Sequence, residues 1–468
     1  MWKFFTKCDR PRRMEQLIES LCGPGYAATF WERYFDTYIT TADMDYIAAH
    51  GFNSVRLPLN ARHLCREENG ALTFVPETIH RVDDCIRWCR ERGLYVVLDM
   101  HGAPGGQTGQ NIDDSENDIP ELFLEEHHAD TLTALWTMLA RRYRDEPAVA
   151  GYDLLNEPLP NWNAQHNYKV LPLYRRLIAA IRAEDKRHPI ILEGVHWSTD
   201  FSIFGDLTEQ EAAEHQIMLQ FHKYWSAPDA ESLAPFLACA KRLSAPLYMG
   251  EGGENNLDWY TTVFPLYERL NIGWSFWSYK KMENRNSPVT FLKPEGWEKL
   301  IAHLDGGPAP EREEAVLFFN RLLAAVATPM YCDEVMNALS RTVPVSIPAE
   351  AYDHCEIYSV REPGARLRMS EPTTLFFADG HEGEPDYRRY GGEPQPEQEQ
   401  ILLRLRSGDG VCYRFSSPGP VRVTLEYTGD GELAHTCHGE GERREVWVRC
   451  TAGTALLDRI FLETEAGA

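Results

Sequence analysis

Apolar residues fall along this chain in two periods, and the alternation between them predicts its elements. From residue 52 onward, short unbroken apolar runs alternate with longer stretches whose apolar residues recur every three to four positions. The runs are Phe52–Pro58, Leu94–His101, Val149–Pro158, Pro189–Gly194, Ile217–His222, Pro246–Glu251 and Ile272–Trp277. They read as strands buried on both faces. Between them lie amphipathic helices, predicted over Val82–Arg92, Ala129–Tyr143, Tyr174–Glu184, Leu233–Arg242 and Tyr260–Arg269. In the second of these, Leu132, Leu135, Trp136 and Leu139 share the face that would cover a sheet. The strand ends at Arg56, His101, Glu157, Glu193, His222, Glu251 and Trp277 are spaced 45, 56, 36, 29, 29 and 26 residues apart. A strand–helix–strand unit takes roughly 30 residues or more. The repeat predicts a (β/α)8, or TIM, barrel of parallel strands, with polar and aromatic residues gathered at the C-terminal strand ends.

Only seven strands are legible from Phe52 onward. The eighth belongs before residue 40, where Pro11–Leu21 reads as a helix and Thr41 as the cap of a helix over residues 43–48, closed by Gly51. Either a degenerate strand hides there, or the chain begins inside the barrel and lacks its first strand. Glu313–Val326 reads as a closing helix. Past residue 340 the runs become short, partly alternating strands: Val343–Pro348, Ile401–Leu405, Val421–Leu425 and Val446–Arg449. Turns such as Gly408-Asp409-Gly410 separate them, as in a β-sandwich. Asp379–Gln400, acidic and rich in Pro and Gly, reads as a long loop. The expected division is a barrel over residues 1–340 and a β-sandwich over residues 341–468.

Composition narrows the classes. A hydrophobic content of 43% and a charged content of 25% are ordinary for a globular protein. A net charge of −24 repels phosphate backbones, so nucleic acid is not an expected partner. No stretch has the roughly 20 apolar residues of a membrane span. Met1–Cys8 lacks the apolar core of a signal peptide, so a cytoplasmic location is expected, with secretion left open should the N-terminus be truncated. The 11 Cys follow no framework and contain no CxxC, which reads as reduced, buried thiols without a zinc site. Nothing in the sequence speaks to oligomeric state.

Candidate chemistry gathers at the strand ends. Asn156-Glu157-Pro158 closes one strand and Glu251 another, so in a barrel both carboxylates belong to one mouth. Two such carboxylates suit glycoside hydrolysis, one as acid/base and the other as nucleophile. A metal site using His101, His196, His222 and carboxylates is the alternative, although no strand end carries HxH. A third reading makes the glutamates rim residues in salt bridges. A nucleophilic carboxylate needs a cation and donors nearby, for which Arg56 and Tyr224 are candidates. An acid/base needs a neighbouring negative charge or desolvation to keep its proton, and Glu251 could supply that charge to Glu157. Trp162, Trp197, Trp225, Trp259 and Trp277 follow strand ends and suggest a sugar-binding groove, because indole faces stack on pyranose C–H bonds. Trp88 and Trp136 lie on helix faces and read as core. The loop His101–Gln107 lacks the Gly-Lys-Ser/Thr of a phosphate-binding loop, so its glycines are better read as letting backbone approach a ligand.

Taken in order, these residues resemble glycoside hydrolase family 5, the cellulase-type barrel family. The resemblance is carried by Val55-Arg56-Leu57-Pro58, Asp99-Met100-His101-Gly102, Leu155-Asn156-Glu157-Pro158, Phe221-His222-Lys223-Tyr224, Met249-Gly250-Glu251 and Ser275-Phe276-Trp277. His101–Gln107 looks most like the exo-β-glucanase and β-glucosidase branch. The resemblance implies retaining hydrolysis of β-glucosides or β-glucan oligosaccharides without a cofactor, Glu157 being acid/base and Glu251 nucleophile. It implies that Asn156 binds the sugar 2-hydroxyl and that Arg56 and Tyr224 position and ionise Glu251. His101 and His222 would line the site of the cleaved sugar, and Trp277 would be its stacking floor. Glu254 is a weaker rival for nucleophile. The chain departs from the family at its start: members open with a strand bearing Gly-x-Asn-x-Gly-Gly-Trp, and Met1–Phe4 is expected to begin just after that point, which would leave a gap in the barrel. A catalytically inactive carbohydrate-binding barrel and a metal-dependent barrel hydrolase remain the alternatives. The C-terminal module weakly resembles jelly-roll carbohydrate-binding modules through Ile347–Asp353 and Val448–Thr454.

Overall fold

The computed structural model describes residues 8–68, 71–439 and 441–465. Met1–Lys7, read above for a leader, lies outside the described residues. The chain forms two compact units. The first takes in the residues up to His222, Phe236–Gly250 and Phe291–Pro329, and the second takes in Lys223–Pro235, Glu251–Thr290 and the residues from Met330 onward.

Three helices precede the sheet: α1 (Pro11–Cys22), α2 (Pro24–Tyr38) and α3 (Thr41–Ala49). No strand lies before residue 54 among the described residues. The aromatic-rich α2 escaped the sequence reading because it buries only Ala27 and Phe30, too few positions to set a period. Helix α3 is capped by Thr40, one residue earlier than expected. The Thr40 backbone N–H donates to Asp43 Oδ2 at 2.7 Å in a capping box.

Seven strands follow: β1 (Ser54–Asn60), β2 (Tyr95–Gly102), β3 (Val149–Asp153), β4 (Ile190–Glu193), β5 (Ile217–His222), β6 (Leu247–Gly253) and β7 (Gly273–Trp277). They form one sheet in sequence order. The registered pairs β1–β2, β2–β3, β3–β4 and β4–β5 all run parallel. Between strands run α4 (Pro76–Arg90), α5 (Glu126–Tyr143), α6 (Val170–Glu184), α7 (Ala234–Leu243) and α8 (Leu257–Arg269), and α9 (Arg312–Ala327) comes later in the chain. This is the strand–helix order of a TIM barrel with seven strands described. Every residue of β4 and β6 is buried, which is why these strands are continuous apolar runs rather than alternating ones. Gly250 of β6 is required by close approach: a Cβ there would lie 2.2 Å from the Gln220 side chain.

The C-terminal module belongs wholly to the second unit and is a pair of antiparallel sheets. Its strands are β8 (Val345–Pro348), β9 (His354–Glu356), β10 (Thr374–Phe377), β11 (Ile401–Arg406), β12 (Gly410–Ser416), β13 (Val421–Gly429), β14 (Glu432–His438), β15 (Arg443–Ala452) and β16 (Thr454–Thr464). One sheet is built on β16, with β13 along one edge and β8 and β11 in tandem on the other, and β10 outermost. The other runs β9-β12-β15-β14. Val411, Tyr413, Val446 and Val448 of one sheet and Leu403, Leu405, Leu457 and Ile460 of the other are buried. No strand interrupts the chain between Phe377 and Ile401, the stretch read as a loop. The 11 cysteines are free thiols, most of them buried.

Within the second unit, Arg341 is 2% exposed and joins α8 to the sandwich. It pairs with Asp353 at 2.7 Å and donates to the Thr261 carbonyl at 2.6 Å. Nearby, Glu350 is buried with Oε2 unpartnered among the described residues. Burial pushes its carboxyl up to about 8, Asp258 and Asp458 push the same way, and Arg459 opposes them. The raised value means that the folded state holds the Glu350 proton where the unfolded chain has lost it. Stability is therefore full below about 4.5 and falls as pH rises toward 8. Glu350→Gln is expected to remove that decline and to gain a few kcal/mol over the wild type at pH 9, at about 1.4 kcal/mol per pKa unit. Urea titrations of both proteins from pH 5 to pH 9 check this.

Candidate active site

The first unit builds its polar centre on one buried cation. Arg56 sits midway along β1, its side chain 3% exposed. Its guanidinium meets Asp99 of β2 at 3.1 Å, Asp153 of β3 at 2.9 Å and Glu193 of β4 at 2.9 Å. It also donates to Asn156 Oδ1 at 2.9 Å. Gln220 of β5 donates to Asp153 at 3.0 Å and also to Glu193. Strand register explains the gathering, since Asp99 pairs with Asp153 across β2–β3 and Glu193 with Gln220 across β4–β5. Like charges placed opposite each other repel. All three carboxylates are fully buried, and one guanidinium cannot neutralise three. Accordingly, burial drives the Asp153 carboxyl well above the usual range, with Glu193 and Asp99 adding to the push and Arg56 opposing it.

Glu157 is aimed from the edge of this centre. After β3 the chain turns sharply, with φ of +43° at Glu157 and +53° at Leu159, a left-handed conformation that side chains resist. The turn is held from several sides. The Glu157 backbone N–H donates to Glu193 Oε2 at 2.7 Å, and the Asn156 N–H donates to the Met100 carbonyl at 3.1 Å. Gln107 donates to the Asn156 carbonyl at 2.9 Å and the His101 carbonyl at 2.7 Å, which gives the glycine-rich loop a bracing role. His222 Nδ1 lies 2.7 Å from Glu157 Oε1. His101 Nδ1 lies 2.9 Å from Asp99 Oδ2. Asn156 is fully buried, and its Nδ2 has no hydrogen-bond partner among the described residues.

The second unit presents Glu251, 4% exposed. The Tyr224 hydroxyl donates to Glu251 Oε2 at 2.9 Å, and the Lys223 N–H donates to the Glu251 carbonyl at 3.0 Å. Glu254, three residues on, is held in an ion pair with Lys281 at 2.8 Å. Burial pushes the Lys281 ammonium down to about 8, against the pull of Glu251. Gly253 has φ of +154°, and a Cβ there would lie 2.2 Å from the Trp277 carbonyl, so only glycine lets this backbone pass Trp277. Trp277 itself is half-buried at the end of β7.

The tryptophans divide. In the first unit Trp162 is 58% exposed and meets Trp197 edge-on at 5.7 Å. Trp259, expected in the groove, is instead core: it is 1% exposed and donates to the Ser226 carbonyl, because its turn of α8 faces inward. Trp136 is fully buried, as a core residue should be. His196 pairs with Asp200 at 3.5 Å in the loop after β4. Sequence reasoning gave no role to Asp99, Asp153 or Gln220. Their signal was present, since Asp99 and Gln220 interrupt apolar strands and Asp153 closes one.

With its cation removed, the carboxylate cluster becomes the cost of folding. Arg56→Met is expected to lower stability by about 3–5 kcal/mol at pH 7. The deficit shrinks as pH falls toward 5, because Asp153, whose carboxyl burial already raises, loses the cation that opposes its protonation. Denaturant titrations at the two pH values measure both effects.

The family model described as Cellulase (glycosyl hydrolase family 5) matches residues 21–283, more than half of the chain. The chain is 34% identical over 189 residues to a β-xylosidase of Phanerodontia chrysosporium, a match covering 40% of this chain and 39% of that protein. It is 24% identical over 311 residues to endoglucanase C of Acetivibrio thermocellus, covering 54% of this chain and 88% of the other. Over 145 residues it is 30% identical to a probable glucan 1,3-β-glucosidase A of Neosartorya fischeri, covering 31% of this chain and 34% of the other. The chain thus spans little more than a third of the length of the xylosidase and of the glucosidase.

Proposed function

The chain belongs to glycosyl hydrolase family 5, and from that premise we propose that it hydrolyses β-glycosidic bonds in β-glucosides or β-glucan oligosaccharides with retention of configuration. Glu251 is the nucleophile and Glu157 the acid/base. The reading rests above all on the hydrogen bond at 2.9 Å from the Tyr224 hydroxyl to Glu251. A donor there stabilises the ionised carboxylate, which is the form that attacks. In the first step the Glu251 carboxylate bonds to the anomeric carbon, the bond to the leaving oxygen breaks, and the Glu157 proton passes to that oxygen. In the second step the Glu157 carboxylate takes a proton from water, the water oxygen bonds to the anomeric carbon, and Glu251 departs as a carboxylate.

The orphaned Asn156 Nδ2 supports binding of the sugar 2-hydroxyl, and Arg56 supports that role by holding Asn156 Oδ1. His222 orients the Glu157 carboxyl through its contact at 2.7 Å. Trp277 at the end of β7 supplies the stacking floor, and His101, held by Asp99, lines the site of the cleaved sugar. Two of the relatives' names, an endoglucanase and a probable glucan glucosidase, support a β-glucan substrate, while that of the β-xylosidase supports a β-xyloside.

Product analysis on β-1,3-, β-1,4- and β-1,6-linked oligosaccharides identifies the linkage. Proton NMR of the first product is expected to show the β-anomer before mutarotation, and an α-anomer formed first refutes the mechanism. Glu251→Gln is expected to lower kcat on the order of 10³-fold or more, as loss of a nucleophile does.

A further inference from the structure

The long loop of the sandwich, between β10 and β11, is pinned at three points to residues that follow the barrel strands of the same unit. Asn255 Nδ2 donates to the Tyr387 carbonyl at 2.7 Å, and Asn286 Nδ2 to the Tyr390 carbonyl at 3.3 Å. Asn256 Nδ2 donates to the Glu393 carbonyl at 3.2 Å. Asn255 and Asn286 are almost wholly buried, and the Tyr260 hydroxyl donates to the Asn286 carbonyl at 2.9 Å. Gly392 packs against Asn286 with φ of +81°, where a Cβ would come within 2.9 Å of the Asn286 Cβ. An acidic loop rich in Pro and Gly is thereby given one conformation over Tyr387–Glu393.

That conformation presents an aromatic ring. Tyr390 is 55% exposed, and its ring meets the Trp225 ring edge-on, at 4.7 Å between centroids and an interplanar angle of 61°. Trp225 is fixed in turn, its Nε1 donating to the Glu254 carbonyl at 2.8 Å. The Trp225 ring lies 5.2 Å from that of Tyr224, whose hydroxyl meets Glu251. Tyr390 therefore stands two aromatic rings away from Glu251 within one unit. Three buried asparagines spent on holding an exposed tyrosine in place make little sense for core packing. Two rings at a steep angle suit the apolar C–H face and edge of a pyranose.

We infer that Trp225 and Tyr390 form a sugar-binding subsite beyond the bond that is cleaved, and that the C-terminal module supplies one wall of it. The subsite takes a pyranose unit of a β-linked oligosaccharide and selects for substrates longer than a single glycoside. This rests on the glycosidase reading above and adds a chain-length preference to it.

The test compares a β-linked tetrasaccharide with β-glucosyl fluoride, whose leaving group is one atom and reaches no further subsite. In Tyr390→Ala, the ratio of kcat/KM on the tetrasaccharide to that on the fluoride is expected to fall about 10-fold, chiefly through KM. Tyr390→Phe, which keeps the ring, is expected to restore most of it. A ratio unchanged in Tyr390→Ala overturns the subsite. That holds whether neither substrate is affected or both decline together, as they would if Tyr390 merely propped Trp225 and Tyr224. A wild type inert on the fluoride and on every oligosaccharide defeats the glycosidase reading itself, and the subsite falls with it.

Discussion

One guanidinium lies among three fully buried carboxylates at the centre of the first unit, and much of the site is arranged around that imbalance. Removing Arg56, Asp99, Asp153 and Glu193 from water costs several kcal/mol per charge, and their mutual attraction repays this only where every hydrogen bond is made. Here the bonds come from five consecutive strands, with Gln220 and the Glu157 backbone N–H serving as neutral donors, while Asp153 Oδ1 and Gln220 Oε1 go without a hydrogen-bond partner among the described residues. The network holds strand register, because a slip of one residue would turn each of these side chains to the other face of the sheet. Under the proposed mechanism it also serves function, because Glu193 grips the turn that carries Glu157 and Arg56 grips Asn156.

Glu157 follows from that grip. Its left-handed backbone is a conformation the chain adopts only under constraint, and the constraint is visible in the donors and acceptors around it. Glu251 is held by different means, on a strand that is buried throughout and beside a tyrosine hydroxyl. Under the proposed mechanism that difference suits the two tasks. The acid/base must exchange its proton twice, while the nucleophile must stay ionised until it attacks. The nearby Glu254 differs from both in being held in an ion pair with Lys281.

Both the fold and the site were partly legible in the sequence. The barrel strands could be read because burial on both faces leaves unbroken apolar runs, as in Ile190–Glu193. The sandwich was read less fully. Strand β14 is exposed along nearly its whole length, so Glu432–His438 has no apolar alternation to detect. Helix α2 was missed because it buries two residues only. Trp259 was assigned to a groove because its position after a strand was known, while the direction its helix faces was not. Asp99 and Gln220 were visible as polar breaks in apolar strands and Asp153 as the polar close of one, but such a position alone does not say which partner repays its burial.

The order and spacing of Arg56, His101, Asn156, Glu157, His222, Tyr224, Glu251 and Trp277 pointed to the family, because they set polar and aromatic residue types at the ends of successive strands. Periodicity determined the alternation of strands and helices, because burial acts on every residue of an element at once. Only the tertiary structure decided that Arg56 answers to three carboxylates, that Glu350 lies buried beside Asp258, and that Tyr390 reaches Trp225 across 165 residues of sequence. It alone decided where the chain divides into compact units, with crossings after His222, Pro235, Gly250, Thr290 and Pro329. The reason is physical: a local pattern records how much of a residue is buried, whereas hydrogen bonds and charges depend on which distant residue the fold sets within about 3 Å.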